Sequence, residues 1–587
     1  MNSKQEKFIR KNWRTHSARQ MAVALDLTRM DVERFVGALR EAPPTGIASR
    51  LSAAVKAHFG PGQERRRLYA IFAAALILRL YYLHVLGKTP FFGPLTSMVD
   101  DGVYNLRGRE IAAGDWLGSP SWLIYTTPLY PYFLGLIYRI FGYAIGAAHF
   151  IQTLLGALTP LLVYGLAKES FDSRRAPVLA GIISAVYIPF IFYENMLLGE
   201  SLAIFLVLCG LYLLARAMKR AAGALTPVFP AGFLLGLAAL LRPNITVPVS
   251  FCALYLGLFL AFKRDRKFLG AAAAILLMAG LAAGISPMAL KNYRLYGDFV
   301  PISAHGGVNL YMATNPEKGG GFRPSAGLGT GMKEIIDNSI LIAEKAKGRT
   351  LKPSEVSAYW TAMSFENVRS SPLGFLTLLS RRAAYFLNRY EYPDTINMLF
   401  VAEFIPFLKP CAFAYGAVAV LAICGIVFCL RAWSAAAWLL AIFAFGYSFS
   451  VCVFGVVSRY RVPVVPIFII FAAGGLAFVW DSWINKYYSR LFKFAGLAAL
   501  ATMFVFFPIR QLRFAVPYNT LGVYFAQKGN WPQAELCYRK ALKISPNFPD
   551  PYRNLAVLYH TAGDAKKTLE FEERYQALKK IALAAGK

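Results

Sequence analysis

The sequence predicts an all-α, polytopic membrane protein, and three observations predict it. Hydrophobic residues make up 57% of the 587-residue chain and aromatic residues 15%, more apolar surface than a water-soluble fold of this size covers. That surface is gathered into repeated runs close to the roughly 20 residues a helix needs to cross the hydrocarbon. The basic surplus, 63 Lys and Arg against 32 Asp and Glu for a formal charge of +31, lies between those runs. There it reads as a topology signal and a contact for the lipid bilayer rather than as a nucleic-acid site.

Residues 1–67 are polar and read as a small helical cytoplasmic unit with no cleavable signal peptide. Within it, Ala18 to Leu39 resembles a helix-turn-helix about Asp26-Leu27-Thr28. A single tethered copy does not suit DNA, so a packing or partner module is expected, and no nucleic acid. About eleven spans follow by length and apolarity. They lie near 68–87, 144–167, 177–193, 199–217, 228–241, 246–262, 268–288, 409–430, 434–452, 462–480 and 491–508, making one transmembrane domain over 68–513.

Arg65, Arg66, Arg67, Lys168, Arg174, Arg175, Arg216, Lys219, Arg220 and the basic segment 263–267 all fall on one side of that arrangement. By the positive-inside rule that side is the cytoplasm. Loops 88–143 and 289–408 then face outward, as does everything after 509. The expected location is a bacterial inner membrane, multi-pass, with a cytoplasmic N-terminus and a periplasmic C-terminus.

Residues 514–587 carry a second signal. Leu521-Gly522, Phe525, Gly529, Ala534, Tyr538, Ala541 and Pro546 follow the tetratricopeptide spacing, and Leu555-Ala556, Tyr559 and Gly563 repeat its first half 34 residues later. The second unit decays, with Thr568, Glu572 and Tyr575 at the later positions. Two repeats bury little core alone, so the module is expected to pack on the outer loops, on another subunit or on a protein partner.

The chemistry-bearing residues gather at the outer edge. Asp100 and Asp101 follow the first span, with Tyr104 and Arg107 at helical spacing. Adjacent carboxylates at a membrane surface repel one another and suit a cation, a proton or a substrate hydroxyl. Capping of the helix that runs from Gly102 to Ala113 and stops at Gly114 explains one Asp and leaves the second without a reason. Lys291, Arg294, Arg459 and Arg461 stand at outer span ends, where the positive-inside rule predicts few cations; they suit an anion, or snorkel to headgroups. Arg242, before Pro243, can reach the same anion. Glu200 opens the fourth span, as an interface residue or a substrate or metal contact. Arg459 and Arg461, about Tyr460 and ahead of Pro463, are expected on one side of an extended segment, clamping a phosphate together.

The seven cysteines lie in apolar spans except Cys537, and neither they nor the six histidines show a metal spacing. His305, beside Gly306-Gly307, suits a substrate contact or a backbone-satisfied loop position. No Gly-x-x-x-x-Gly-Lys loop or dinucleotide fingerprint is present. A group donor used outside the cytoplasm then has to arrive within the bilayer, and a polyprenyl-phosphate sugar fits.

At this point the residues resemble a known group. Asp100-Asp101-x-x-Tyr104, Ala112-Ala113-Gly114, Thr127-Pro128-Leu129-Tyr130-Pro131, Leu241-Arg242-Pro243-Asn244, Lys291-Asn292-Tyr293, Tyr311 to Pro316 and Ser458 to Pro463 are similar, in order, to signatures of the GT-C superfamily of lipid-phosphate-sugar glycosyltransferases. That group includes protein O-mannosyltransferases and aminoarabinose transferases. The resemblance covers residues 68–480. It implies a GT-C helical bundle and a hexosyl transfer with inversion, in which Asp100 is the base and Asp101 orients the acceptor or shares a metal. Tyr104, Glu200, Arg242, Lys291, Asn292, Arg459 and Arg461 are implied as substrate-binding residues. A divalent metal is left open. Ile124-Tyr125-Thr126-Thr127 stands where some lipid A-modifying relatives place a lysine, which argues against the aminoarabinose reaction. Glu391 is expected to meet sugar or to pair with Arg389 or Arg381.

Two other classes compete. A transporter or flippase would line a path through the bilayer with its charges and show inverted repeats, whereas here the ionisable groups sit at one edge. A tetratricopeptide scaffold accounts for 514–587 and leaves the acidic pair unexplained.

Overall fold

A computed structural model describes residues 63–96, 100–118, 124–219, 225–263, 267–315, 327–329, 332–393, 396–508 and 514–585, with scattered positions between 5 and 36. Among these residues there are helices and no strands. Contacts divide the chain into Met1–Arg67 and Leu68–Lys587. In the first unit Ile9, Met21, Ala22, Val32 and Val36 form a small core. Most of the helix-turn-helix resemblance lies outside the described residues.

The first long helix is α1 (Glu64–Leu86), followed by α2 (Asp100–Ala112), α3 (Leu129–Phe141), α4 (Ile145–Ser170), α5 (Ala176–Val186), α6 (Ile188–Glu194) and α7 (Glu200–Lys219). Next come α8 (Val228–Ala239), α9 (Thr246–Leu258), α10 (Lys267–Tyr296), α11 (Gly306–Thr314), α12 (Met332–Lys347), α13 (Pro353–Ser370), α14 (Pro372–Leu387) and α15 (Met398–Val401). The last are α16 (Cys411–Cys429), α17 (Ala435–Phe454), α18 (Ser458–Arg461), α19 (Val465–Ile484), α20 (Tyr488–Val505) and the four C-terminal helices α21 (Ala515–Gln527), α22 (Trp531–Ile544), α23 (Pro549–Thr561) and α24 (Ala565–Ala585).

This is the all-α, multi-pass membrane architecture the composition predicts. Among the described residues, 8 helices are long and apolar enough to cross a membrane, and α5 with α6 make a ninth span bent by 51°. The bend has a local cause: Pro189 in the first turn of α6 cannot continue the hydrogen bonding of α5. The expected count of eleven is not confirmed. At 12 residues α8 reaches only about 18 Å, and α20, with Arg490 and Lys493 in its first turns, falls short of the apolarity of the others.

Lipid gives helices little hydrophobic reason to associate, so close packing has to supply it. Gly232 and Gly236 of α8 face Gly280 and Gly284 of α10 at four-residue spacing. A Cβ at Gly236 would stand 2.4 Å from the Leu281 carbonyl oxygen, and one at Gly232 2.2 Å from that of Leu277. Gly236→Leu is therefore expected to separate the two helices and destabilise the bundle by roughly 1–3 kcal/mol, read as a lower thermal midpoint in detergent.

At the far end from Asp100, Arg175 pairs with Asp481, and Lys219 and Arg216 meet Glu169 at 3.0 and 3.7 Å. The C-terminal helices build the repeat core expected of them from Ala534, Tyr538, Leu555, Ala556 and Tyr559. Phe571 stacks on Tyr559 at 5.6 Å and supplies the packing that the decayed positions lack. The module does not stand apart. Tyr518 of α21 meets the Phe400 ring edge-on at 4.9 Å and donates to Glu403 at 2.8 Å, at the end of the large loop.

Candidate active site

Five of the residues singled out in the sequence line one cavity of about 510 Å³: Asp100, Tyr104, Glu200, Arg242 and Arg459. Four of them arrive from different helix ends, and Tyr104 lies one turn into the helix that Asp100 opens. Asp100 opens α2, Glu200 opens α7, Arg242 stands in the turn after α8 that Pro243 ends, and Arg459 lies in the single turn of α18 between α17 and α19. Helix ends bring short side chains and unpaired backbone groups to the rim of a bundle, and here several rims coincide.

The charges are interlocked. Arg459 donates to Asp100 Oδ2 at 2.5 Å and stands 3.3 Å from Glu200 Oε1, which also takes the Arg242 guanidinium. Glu200 is 1% exposed, so its charge is held almost wholly by the two arginines. Both guanidiniums lie over the Tyr460 ring, at 4.7 Å for Arg242 and 5.4 Å for Arg459, which fixes their planes. Tyr104 shares a 2.7 Å hydrogen bond with Thr127 and meets Tyr130 edge-on. Tyr130 donates to Gln152, whose amide holds the carbonyls of Glu194 and Met196 just before Glu200.

The other four expected site residues lie outside this lining. Asp101 is 2% exposed, and its Oδ1 accepts from the Gly102 amide. Burial, with Asp100 beside it, pushes its carboxyl from the ordinary 3.8 up to about 7. Such a group favours the folded state most when protonated, and that advantage is lost as pH rises from about 4 to about 7. Asp101→Asn is therefore expected to raise the thermal midpoint at pH 8 and to leave it nearly unchanged at pH 4.

Arg461 does not share a face with Arg459. Residues 458–461 form a helical turn rather than an extended strand, and positions two apart on a helix point in different directions. Arg461 is 1% exposed and donates to the carbonyls of Phe386, Asn388 and Tyr390, which end α14, and to Glu391 at 3.2 Å. Glu391 thus pairs with Arg461 and not with Arg389, which stacks on Phe413 and Phe506. Asn292 is used internally, donating to the Val300 carbonyl at 2.8 Å. Lys291 lies over Tyr132 at 5.3 Å, beside the Arg107–Asp115 pair.

Two further features carried signals of their own. Arg79 and Glu194 are ionisable groups inside apolar runs, the pattern that marks a buried partnership. Arg79 is fully buried, binds Glu194 at 2.6 and 3.1 Å, and donates to the Ala75 and Ala185 carbonyls. The cavity lining also includes Tyr125, Thr127, Asn244 and, at helical spacing, His305 and Asn309. Among the described residues no group of three or more His, Cys, Asp or Glu could hold a metal ion, and Asp100 and Glu200 each already meet a guanidinium.

Residues 125–290 match the family described as dolichyl-phosphate-mannose-protein mannosyltransferase, and residues 522–563 match the tetratricopeptide repeat. The resemblance to lipid-phosphate-sugar glycosyltransferases is borne out over the first stretch, and the repeat reading over the second. A glycosyltransferase is the enzyme class the first match supports. No curated protein matches the chain. Among solved structures, the apo oligosaccharyltransferase of Archaeoglobus fulgidus is similar at 15% identity and a TM-score of 0.45, over 82% of this chain and 58% of that one. The same archaeal enzyme with an inhibitory peptide and a dolichol-phosphate is similar at 14% identity and a TM-score of 0.42, over 84% and 59%. ArnT from Cupriavidus metallidurans bound to undecaprenyl phosphate is similar at 15% identity and a TM-score of 0.31, over 70% and 78%. The chain spans a little under three fifths of the archaeal enzyme's length.

Proposed function

We propose that this chain is a membrane glycosyltransferase that takes a sugar from a polyprenyl-phosphate donor and places it on an acceptor hydroxyl at the outer face of a bacterial inner membrane. The observation that carries the reading is the meeting of Asp100 with Arg459, Arg242 and Glu200 in one cavity at the edge of an apolar bundle. A lipid-borne phosphate enters from the bilayer and lies against the Arg242 and Arg459 guanidiniums, which Glu200 holds in place. The acceptor oxygen attacks the anomeric carbon as the bond from that carbon to the phosphate oxygen breaks, and the acceptor proton passes to Asp100. Attack from the face opposite the phosphate inverts the anomeric configuration. Asp101, buried in the first turn of α2, supports the geometry of Asp100 and does not touch substrate. No step is assigned to a metal.

Residues 1–67 form the cytoplasmic unit, 68–513 the catalytic membrane domain and 514–587 the periplasmic repeats, which favour a protein acceptor or partner. A reporter fused after Lys587 that is active only in the periplasm agrees with this topology; activity in the cytoplasm reverses it. The activity itself is tested by incubating the purified protein with a polyprenyl-phosphate hexose and membranes of its source. Wild type is expected to release polyprenyl phosphate and label an acceptor. Movement of the lipid across vesicles without product identifies a flippase instead.

A further inference from the structure

The cavity lining is of two chemical kinds. Asp100, Glu200, Arg242 and Arg459 carry its charges, whereas the polar side chains that α11 and its N-cap contribute are neutral. His305, Asn309 and Met312 all line the cavity and follow one another at i, i+4 and i+7, so they form a single stripe along the helix.

That stripe is held toward the space from behind. On the opposite face Gly307 approaches α13 so closely that a Cβ would stand 2.0 Å from the Ser357 carbonyl oxygen. The Gly307 amide donates to Ser357 Oγ at 3.1 Å, and Tyr311 packs on Trp360 at 4.6 Å. At the C-terminal end of α11, Arg382 donates to the Ala313 carbonyl at 2.6 Å while also holding the carbonyls of Cys452 and Val453 at the end of α17. The helix therefore cannot roll, and its front residues are presented in a fixed direction.

Among the described residues neither the His305 ring nor the Asn309 amide makes a side-chain hydrogen bond, and His305 Nδ1 is sealed from solvent without a partner. A buried polar atom without a protein partner is normally met by water, an ion or a ligand, and here it opens on a cavity large enough for one. Burial lowers the imidazole to about 4, so at neutral pH it is uncharged and offers one donor and one acceptor nitrogen. An amide likewise offers both. A row of neutral groups that each donate and accept matches sugar hydroxyls, which do the same, and brings a phosphate no compensating charge.

Resting on the reading of this cavity as a donor site, we propose that His305 and Asn309 are the residues that recognise the sugar of the lipid-linked donor, one turn of α11 facing its hydroxyls while Arg242 and Arg459 face its phosphate.

The test compares binding of polyprenyl phosphate and of polyprenyl-phosphate hexose to the full-length protein in lipid nanodiscs. Each hydrogen bond to a sugar hydroxyl is worth roughly 3- to 10-fold in affinity. Wild type is expected to prefer the hexose lipid by about 10-fold or more. His305→Ala with Asn309→Ala should reduce that preference to less than about 2-fold and leave polyprenyl phosphate binding unchanged, whereas Arg242→Ala should weaken both lipids. His305→Gln, which keeps a donor and an acceptor, should retain most of the preference. The proposal is overturned if the double variant keeps the sugar preference, or if it loses bare polyprenyl phosphate to the same degree. Failure of wild type to bind either lipid overturns the donor-site reading itself, and this inference with it.

Discussion

Asp100→Asn is expected to lower sugar transfer by about 10³-fold while the protein stays folded and still binds its lipid donor. General base catalysis by a positioned side chain typically contributes 10²- to 10⁴-fold, and an amide of the same shape cannot accept the proton. The geometry singles out this member of the acidic pair. Asp100 faces the cavity with Oδ2 on Arg459, whereas Asp101 is sealed and its burial pushes the carboxyl up to about 7. Asp101→Asn is accordingly expected to stay within about 10-fold of wild type, since the amide imitates the protonated acid already favoured there. Release of polyprenyl phosphate measured for both variants gives the answer. Equal loss in the two, or a larger loss at Asp101, would falsify the assignment of the base.

The second large effect is on stability. Arg79→Leu should destabilise the folded protein by about 3–5 kcal/mol, because removing one partner of a buried pair leaves the other charge uncompensated. Here that charge is Glu194, 1% exposed and packed so tightly that a Cβ on Gly156 would lie 2.2 Å from its carboxyl carbon. The Ala185 carbonyl at the end of α5 loses a donor as well. Arg79→Leu combined with Glu194→Gln should recover a good part of the loss, since the buried negative charge is gone. Thermal unfolding in detergent separates these cases; a double variant no more stable than Arg79→Leu alone would show that the pair's value lies in the guanidinium's backbone contacts and not in its charge.

The pair also shows where sequence ends as a guide. Apolar runs, the Asp100-Asp101 doublet, the basic residues at span ends and the 34-residue repeat are all local properties. Composition and spacing suffice to read them, because the bilayer imposes one length and one polarity on every span. Tyr104, Glu200, Arg242 and Arg459 were legible as candidates for the same reason: a charge or phenol at a span end in an otherwise apolar chain needs a partner, and these four found one cavity.

Their neighbours in the motifs did not. Arg459 and Arg461 stand two residues apart in one signature, yet one guanidinium meets Asp100 and the other ends α14. Lys291 and Asn292 stand beside each other, and both turn away from the cavity, one to Tyr132 and one to the Val300 carbonyl. Sequence alone determined that this protein crosses a membrane many times, carries a tetratricopeptide module and places an acidic pair and several arginines at the ends of its apolar runs. Only tertiary structure decided which of those groups converge, that Asp100 rather than Asp101 is presented, that the third span breaks, and that α11 turns His305 and Asn309 inward. The physical reason is that a side chain's direction is set by the backbone turn it sits on and by the helix packed behind it. The partners that fix each direction, Arg459 for Asp100, Glu194 for Arg79 and Ser357 for Gly307, lie 359, 115 and 50 residues away along the chain.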